Sequence, residues 1–272
     1  MLMRKRRDEQ SHIWTKCIRS LQQLFALLEA DIKKLRHDPY ELFTRMIQPA
    51  IWLLIFGQAM AKAHAIPISN GSYIDYMAPG ILAQSVLFIA IFFGIAIIWE
   101  KDMGLLHKIL VTPTPRFILV LARSLSAGIR SLSQIFIIYL ICFILGVNLK
   151  WNFLAFGLLV LMVILGGAIF ATLSLVVASI VKKRERFMGI GQVLTMPLFF
   201  ASNALYPISM MPSWLQKLSL ANPLSYEVDA LRFLMIEGEV SHFGIGVDFL
   251  VCMIALAVLL AIATRVYPRI LY

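Results

Sequence analysis

The chain has 272 residues, of which 60% are hydrophobic and 15% charged, and a formal net charge of +10. That balance, with apolar runs of about 20 residues, excludes a single soluble core and places the chain in a bilayer. Cys17, Cys142 and Cys252 are odd in number and two lie inside apolar runs, so no disulfide framework or metal site follows.

The N-terminus, MLMRKRRDEQSH, is basic but leads into polar sequence, which predicts a tail retained in the cytoplasm and not a cleaved signal. Behind it Trp14, Ile18, Leu21, Phe25, Leu28, Ile32 and Leu35 recur at spacings of four and three, with Lys16, Arg19, Lys33 and Lys34 at polar positions. The spacing predicts an amphipathic helix. A place along the inner leaflet suits its Trp and cations, and a short coiled coil or packing against the chain's own loops is the alternative. Residues 1–42 are thereby set apart from a membrane domain over 43–272.

Six spans are predicted in that domain, at about Phe43–Met60, Tyr76–Trp99, Ser131–Val147, Phe153–Ile180, Phe187–Leu205 and Val247–Tyr267. After the second comes EKDMGLLHKILVTPTPR, Glu100–Arg116. A helix can run from Lys101 to about Val111 before Thr112, Pro113 and Pro115 break it. Leu105, Leu106, Ile109 and Leu110 would give this helix an apolar side, with Lys101, Asp102 and Lys108 in water. The run from Phe117 to Val147 is about 46 Å long as helix, against roughly 30 Å of hydrocarbon. Its first turns are therefore expected at the interface, where Arg123 and Arg130, on one face, can snorkel to phosphates or face protein. The span interiors carry almost no ionisable residue. Their polar groups are neutral, including Gln84, Ser85, Gln134, Thr172, Ser174, Gln192, Thr195, Ser202 and Asn203, and are expected mainly to bond helix to helix.

Tyr206–Arg232, YPISMMPSWLQKLSLANPLSYEVDALR, interrupts the spanning pattern. Pro207, Pro212 and Pro223 forbid one continuous helix. Ser213–Leu220 is predicted as a short helix ended by Asn222-Pro223. A second helix follows, capped by Ser225 and carrying Asp229 and Arg232 as an i,i+3 pair. Trp214 and Tyr226 suit an interfacial depth. Both an element that dips back into the membrane and an ordinary outer loop satisfy these features.

Twenty-one of the 25 Lys and Arg residues fall in residues 1–45, 100–130, 182–186 and the C-terminal tail. The positive-inside rule makes these segments and both termini cytoplasmic, and puts Tyr206–Arg232 outside. A lipid-facing inner surface accounts for the net charge, so no nucleic-acid partner is expected. There is no G-x-x-x-x-G-K-[ST], H-E-x-x-H or G-x-S-x-G, and the five histidines are scattered singly. The chain is expected to be no enzyme, with no catalytic residue, cofactor or metal of its own.

The 100–116 loop has an acidic residue, a glycine, a leucine pair and a T-P stop. Residues Pro197–Arg232 contain P-x-W-L-Q, N-P-L-x-Y and D-A-L-R. In these patterns the chain resembles the permease subunits of type-2 ABC exporters, and Ser202–Pro207, SNALYP, is similar to the daunorubicin-resistance branch. The resemblance implies an all-α integral membrane protein with six spans, an N-terminal interface helix, and short re-entrant helices between spans five and six. It implies a homodimer or pseudo-dimer in a bacterial inner membrane, with ATP and Mg bound on a separate ABC ATPase subunit. The 100–116 loop would be the coupling helix on that ATPase, through Glu100, Lys101, Gly104, Leu105, Leu106, Leu110, Thr112, Pro113 and Arg116. Candidate pathway or gate residues are Gln192, Thr195, Ser202, Asn203, Tyr206, Pro207, Trp214, Asn222, Pro223, Tyr226, Asp229 and Arg232. The expected activity is export of an amphiphilic substrate, a drug, lipid or glycoconjugate, by alternating access. The alternatives are a non-transporting scaffold and an ion-coupled carrier, the latter disfavoured by the scarcity of intramembrane carboxylates.

Overall fold

Capping chemistry sets where the helices begin and end. The computed structural model describes residues 29, 47–63, 72–104, 115–181 and 183–267. Helix α1 covers 47–63 and contains a π-helical stretch, Trp52–Gly57, ahead of Gln58–Ala63. Helix α2, Tyr73–Asp102, opens on a capping box: Ser72 Oγ accepts from the Asp75 N–H, and the Asp75 carboxylate accepts from the Ser72 N–H at 2.8 Å. Helix α3, Arg116–Leu145, starts behind Pro115 and closes at Gly146 with φ +72°. Helix α4, Phe153–Val181, follows Asn152, whose side-chain oxygen accepts from the Leu154 N–H at 2.9 Å.

The order continues with α5, Arg184–Phe200, a 3-10 turn at Ile208–Met210, α6, Ser213–Ala221, α7, Pro223–Met235, and α8, Ile245–Val266. Among the described residues there is no β-strand. An isolated antiparallel bridge joins Leu149 to Ile236, and the Lys150 N–H donates to the Met235 carbonyl at 2.8 Å. The α3–α4 connection is thus tied to the end of α7.

Four helices, α2, α3, α4 and α8, are long and apolar enough to cross a membrane. Helix α5 has 17 residues. At 1.5 Å per residue that is ~26 Å, short of the ~30 Å hydrocarbon core.

Helix α4 is the centre of the packing and touches α2, α3, α5, α7 and α8. Small residues let the backbones meet. A Cβ on Gly128 of α3 would lie 2.4 Å from the Ile164 carbonyl oxygen, and one on Gly167 would lie 2.7 Å from Gly128 Cα. Neutral polar groups add hydrogen bonds between helices. The Ser124 and Thr172 hydroxyls are 2.7 Å apart, and Ser174 Oγ accepts from the Gly94 N–H at 3.0 Å while donating to the Ile91 carbonyl. Ser85 and Thr195 instead bond carbonyls of their own helices.

Several sequence expectations are corrected. Helix α3 is continuous from Arg116, and of the two settings open to Arg123 it takes the protein-facing one, buried against the end of α2. Helix α5 stops at Phe200, short of Leu205, because side chains take over the carbonyls that a longer helix would have bonded. The second short helix is capped by Asn222, whose side-chain oxygen accepts from the Leu224 N–H at 3.1 Å, with Pro223 at the first helical position. Ser225 lies within that helix and meets the Ser219 hydroxyl at 3.0 Å. The N-terminal stripe, Trp14–Leu35, lies outside the described residues.

Candidate functional site

Three zones lie along α2. At its N-terminal end the backbone over 201–206 is not helical, and side chains bond its carbonyls and those just before it one by one. Asn222 donates its amide to the Leu198 carbonyl at 2.7 Å and the Ala201 carbonyl at 3.4 Å. The Tyr206 hydroxyl donates to the Phe200 carbonyl at 2.7 Å. Tyr76 and Arg232 both donate to the Asn203 carbonyl, at 3.0 and 2.8 Å, and the Tyr73 hydroxyl donates to the Leu205 carbonyl at 3.0 Å. Non-helical backbone packed among membrane helices persists only where protein satisfies its polar groups in this way. Burial raises the Tyr206 hydroxyl pKa above its ordinary value, so it remains a donor. A Cβ on Gly80 would lie 2.4 Å from the Ala204 carbonyl oxygen, so α2 presents glycine where this segment crosses it.

Arg232 fastens α7 to the same place. Its Cζ lies 3.8 Å from the Tyr76 ring centroid, and it also donates to the Tyr76 carbonyl at 3.4 Å. Asp229, expected as its pair, accepts instead from the Ser241 hydroxyl at 2.9 Å and the Phe243 N–H at 3.0 Å. The i,i+3 spacing allowed a pair, but buried backbone donors and acceptors claim both side chains. A pocket of about 200 Å³ opens here between Tyr76, Asn203, Pro207, Asp229, Arg232 and Glu239.

Midway along α2 lies a cavity of about 420 Å³ lined by Gln48, Gln84, Ser85, Phe88, Gln134 and Gln192, among others. Its chemistry is uncharged. Glutamine amides offer donors and acceptors, and the Phe88 and Phe92 rings stack with centroids 6.0 Å apart. Such a lining can hold a molecule that is largely apolar and carries neutral hydrogen-bonding groups.

At the C-terminal end of α2, Gly104 takes φ +70° and donates its N–H to the Lys101 carbonyl at 2.9 Å, which ends the helix. Glu100 accepts two hydrogen bonds from Arg123 of α3, at 2.7 and 3.3 Å, with both side chains more than nine-tenths buried. Asp102 accepts from Arg184 of α5 at 2.7 Å, with both side chains about 40% exposed, and Arg184 lies 4.3 Å from the Trp99 ring centroid. The ends of α2, α3 and α5 are thus joined where the 105–114 segment leaves and returns.

A family model described as ABC-2 type transporter matches residues 22–236, most of the chain. The chain belongs to the ABC-2 type transporter family. Relatives include ycf38 of Cyanophora paradoxa, 32% identical over 220 residues, 79% of this chain and 74% of that protein. The daunorubicin resistance ABC transporter permease protein DrrB1 of Streptomyces coeruleorubidus is 26% identical over 236 residues, 85% of this chain and 81% of that one. Nodulation protein J of Rhizobium meliloti is 27% identical over 103 residues, 38% of each chain. The protein is an ABC transport permease, a multi-pass membrane subunit whose family implies an ABC ATPase partner.

In this permease the residues expected at the gate do not form a single cluster. Asn203, Tyr206, Asn222 and Arg232 meet at the 201–206 segment. Asn203 and Arg232 share the adjoining pocket with Pro207 and Asp229. Ser202 supports the turn by donating to the Phe199 carbonyl at 2.7 Å, and Pro223 starts α7. Gln192 lines the cavity, whereas Thr195 bonds within α5. Trp214 is exposed on α6, and Tyr226 donates to the Leu220 carbonyl at 2.8 Å while packing on Phe243. Of the expected coupling residues, Glu100 is buried on Arg123, Lys101 and Gly104 end α2, and Arg116 starts α3 exposed. Leu105, Leu106, Leu110, Thr112 and Pro113 lie outside the described residues.

Sequence reasoning missed Tyr73, Tyr76 and Gln48 altogether, and gave Gln84, Gln134 and Arg123 no place in the site. The phenols of Tyr73 and Tyr76 stand one turn apart at the start of a span. That spacing was visible, but an interfacial belt would look the same. Four acids at helix ends and on α7 are buried: Asp75 in the first turn of α2, Glu227 and Asp229 on α7, and Asp248 in the first turn of α8.

Proposed function

We propose that this permease is one half of an ATP-driven exporter that moves an amphiphilic substrate, a drug, lipid or glycoconjugate, across the membrane by alternating access. The observation that carries the reading is the order of the three zones along α2. An uncharged cavity lies between an end whose unwound backbone is fastened by neutral hydrogen bonds and an end braced by ion pairs where the 105–114 segment begins. A second copy would complete the pathway. Exposed apolar residues on α1 and α5, including Ile51, Ile55, Val193 and Met196, suit that contact.

Charge orients the assembly. The excess of Lys and Arg in both termini, the 100–130 loop and 182–186 supports a cytoplasmic position for these segments, in a bacterial inner membrane. ATP and Mg belong to the separate ATPase, and the coupling residues Glu100, Lys101, Gly104, Leu105, Leu106, Leu110, Thr112, Pro113 and Arg116 transmit its closure to α2 and α3. Residues 206–232 then act as a re-entrant outer gate, completing a six-span arrangement in which α1 and α5 also cross. Similarity to a daunorubicin resistance permease makes daunorubicin a suitable first probe.

The test is ATP-dependent, vanadate-sensitive accumulation of daunorubicin in inverted vesicles carrying the permease with its co-expressed ATPase. Deleting Leu105–Leu110 should abolish accumulation and leave membrane insertion and ATP hydrolysis intact. Normal transport by that deletion would refute the coupling assignment. Accumulation driven by an imposed ion gradient without ATP would refute the exporter reading.

A further inference from the structure

Glu227 stands on α7 with its side chain wholly buried and neither carboxyl oxygen hydrogen-bonded. It lies flush with the backbone of α4. A Cβ on Gly166 would come within 2.2 Å of Glu227 Cδ and Oε1 and 2.4 Å of Oε2, so the glycine makes the slot that the carboxyl fills. The elements packed around α7 are α2, α4, α6 and α8. Helix α4 carries no titratable residue. Helix α8 brings Asp248 and Cys252 in its first turns, α2 brings Tyr73, Asp75 and Tyr76, α6 brings Lys217, and α7 itself carries Tyr226, Asp229 and Arg232. None of them bonds Glu227. Asp229, Arg232 and Asp248 have hydrogen-bond partners elsewhere.

A carboxylate in such a place has neither a counter-charge nor a donor, so the group stays there only as the neutral acid. Even the neutral acid leaves its hydroxyl unpaired, which a purely structural position would fill with Leu or Met. We propose that Glu227 is a proton-binding site that seats α7 in its slot on α4 as the uncharged acid, and that loss of this proton to water releases the helix. The seated state binds the proton more tightly than the released state. Acid therefore favours seating, and rising pH favours release.

The test needs no substrate and so stands apart from the transport assay. Spin labels are placed on the full chain in lipid nanodiscs at Phe153→Cys, at the start of α4, and Lys217→Cys on α6. Phe153 is 98% exposed. Cys17 is replaced, and the buried Cys142 and Cys252 are kept. Distances are read by pulsed electron resonance from mildly acid to alkaline pH. The expected result is a second, longer distance whose population rises with pH by up to about tenfold per unit, the limit for one proton. Glu227→Gln should show the short distance alone at every pH. Gly166→Ala, whose methyl occupies the slot, should show the long distance at every pH. A pH-invariant distance in the otherwise unaltered chain overturns the proposal even if Glu227→Gln does not fold. The same pH response in Glu227→Gln overturns it as well.

Discussion

Removing one partner of the Glu100–Arg123 pair gives the sharpest energetic test of how α2 and α3 are joined. The side chains are 8% and 9% exposed, and two hydrogen bonds at 2.7 and 3.3 Å link them. Solvent screens such a pair little, so Arg123→Met strips two charge-assisted hydrogen bonds from a buried carboxylate and should cost about 3–5 kcal/mol. Glu100→Met should cost about the same for the converse reason. The double variant removes both charges and fills the space with apolar atoms, so it should return to within about 1–2 kcal/mol of the parent or exceed it.

The Asp102–Arg184 pair is an internal control with the same contact distance. Its side chains are 40% and 38% exposed, so Asp102→Asn should cost only about 0.2–1 kcal/mol. Unfolding of the purified chain in mixed micelles, titrated with a denaturing detergent, gives all of these differences on one scale. The double-mutant cycle should show a coupling of several kcal/mol for the buried pair and nearly none for the exposed one. Equal small effects at both pairs, or additive single losses at Glu100 and Arg123, would refute the assignment of depth on which the argument depends.

Three other substitutions probe the remaining contacts. Gly128→Ala places a methyl 2.4 Å from the Ile164 carbonyl oxygen, so α3 and α4 must separate, at a cost of about 1–3 kcal/mol in the same unfolding assay. Asn222→Ala loses the cap of α7 and the donor to the Leu198 carbonyl, for about 2–4 kcal/mol together, whereas Asn222→Asp keeps the cap acceptor and should lose less. Gln84→Leu with Gln192→Leu makes the cavity wall apolar, and should change which fluorescent substrates are transported while basal ATP hydrolysis by the complex stays unchanged.

The sequence was most legible where one local rule acted alone. Hydropathy located the four long helices, and the short helix expected at Ser213–Leu220 and found at Ser213–Ala221 followed from prolines at either end. Reading failed where two rules competed for the same residue. Ser225 looked like a cap, but Asn222 sits immediately before a proline and takes the role with better geometry. Asp229 and Arg232 looked like a pair because i,i+3 spacing says nothing of the other partners that packing brings to each. Helix length left Arg123 a choice between lipid phosphate and protein, and only packing, which sets Glu100 beside it, decides for protein. The cavity needed tertiary structure throughout, because Gln48, Gln84, Gln134 and Gln192 are scattered over four helices.

Helix α2 is the one element common to all three zones. Its first turn bonds the 201–206 segment through Tyr73 and Tyr76, its middle lines the cavity through Gln84, Ser85 and Phe88, and its last turns hold Arg123 and Arg184. From Tyr76 to Glu100 it rises ~36 Å as one hydrogen-bonded rod. A rod held at both ends cannot tilt without loading its fastenings, and the two sets differ in kind. The bonds at the Asn203 and Leu205 carbonyls are exchangeable for water at about 1 kcal/mol each. The buried ion pair loses several kcal/mol if it opens without a replacement partner. If the ATPase acts on α2 near Glu100, as proposed, the 201–206 fastenings should yield first and the Glu100 end should move as a unit with α3. This ordering requires the Glu100–Arg123 bonds to survive whatever rearrangement opens the cavity.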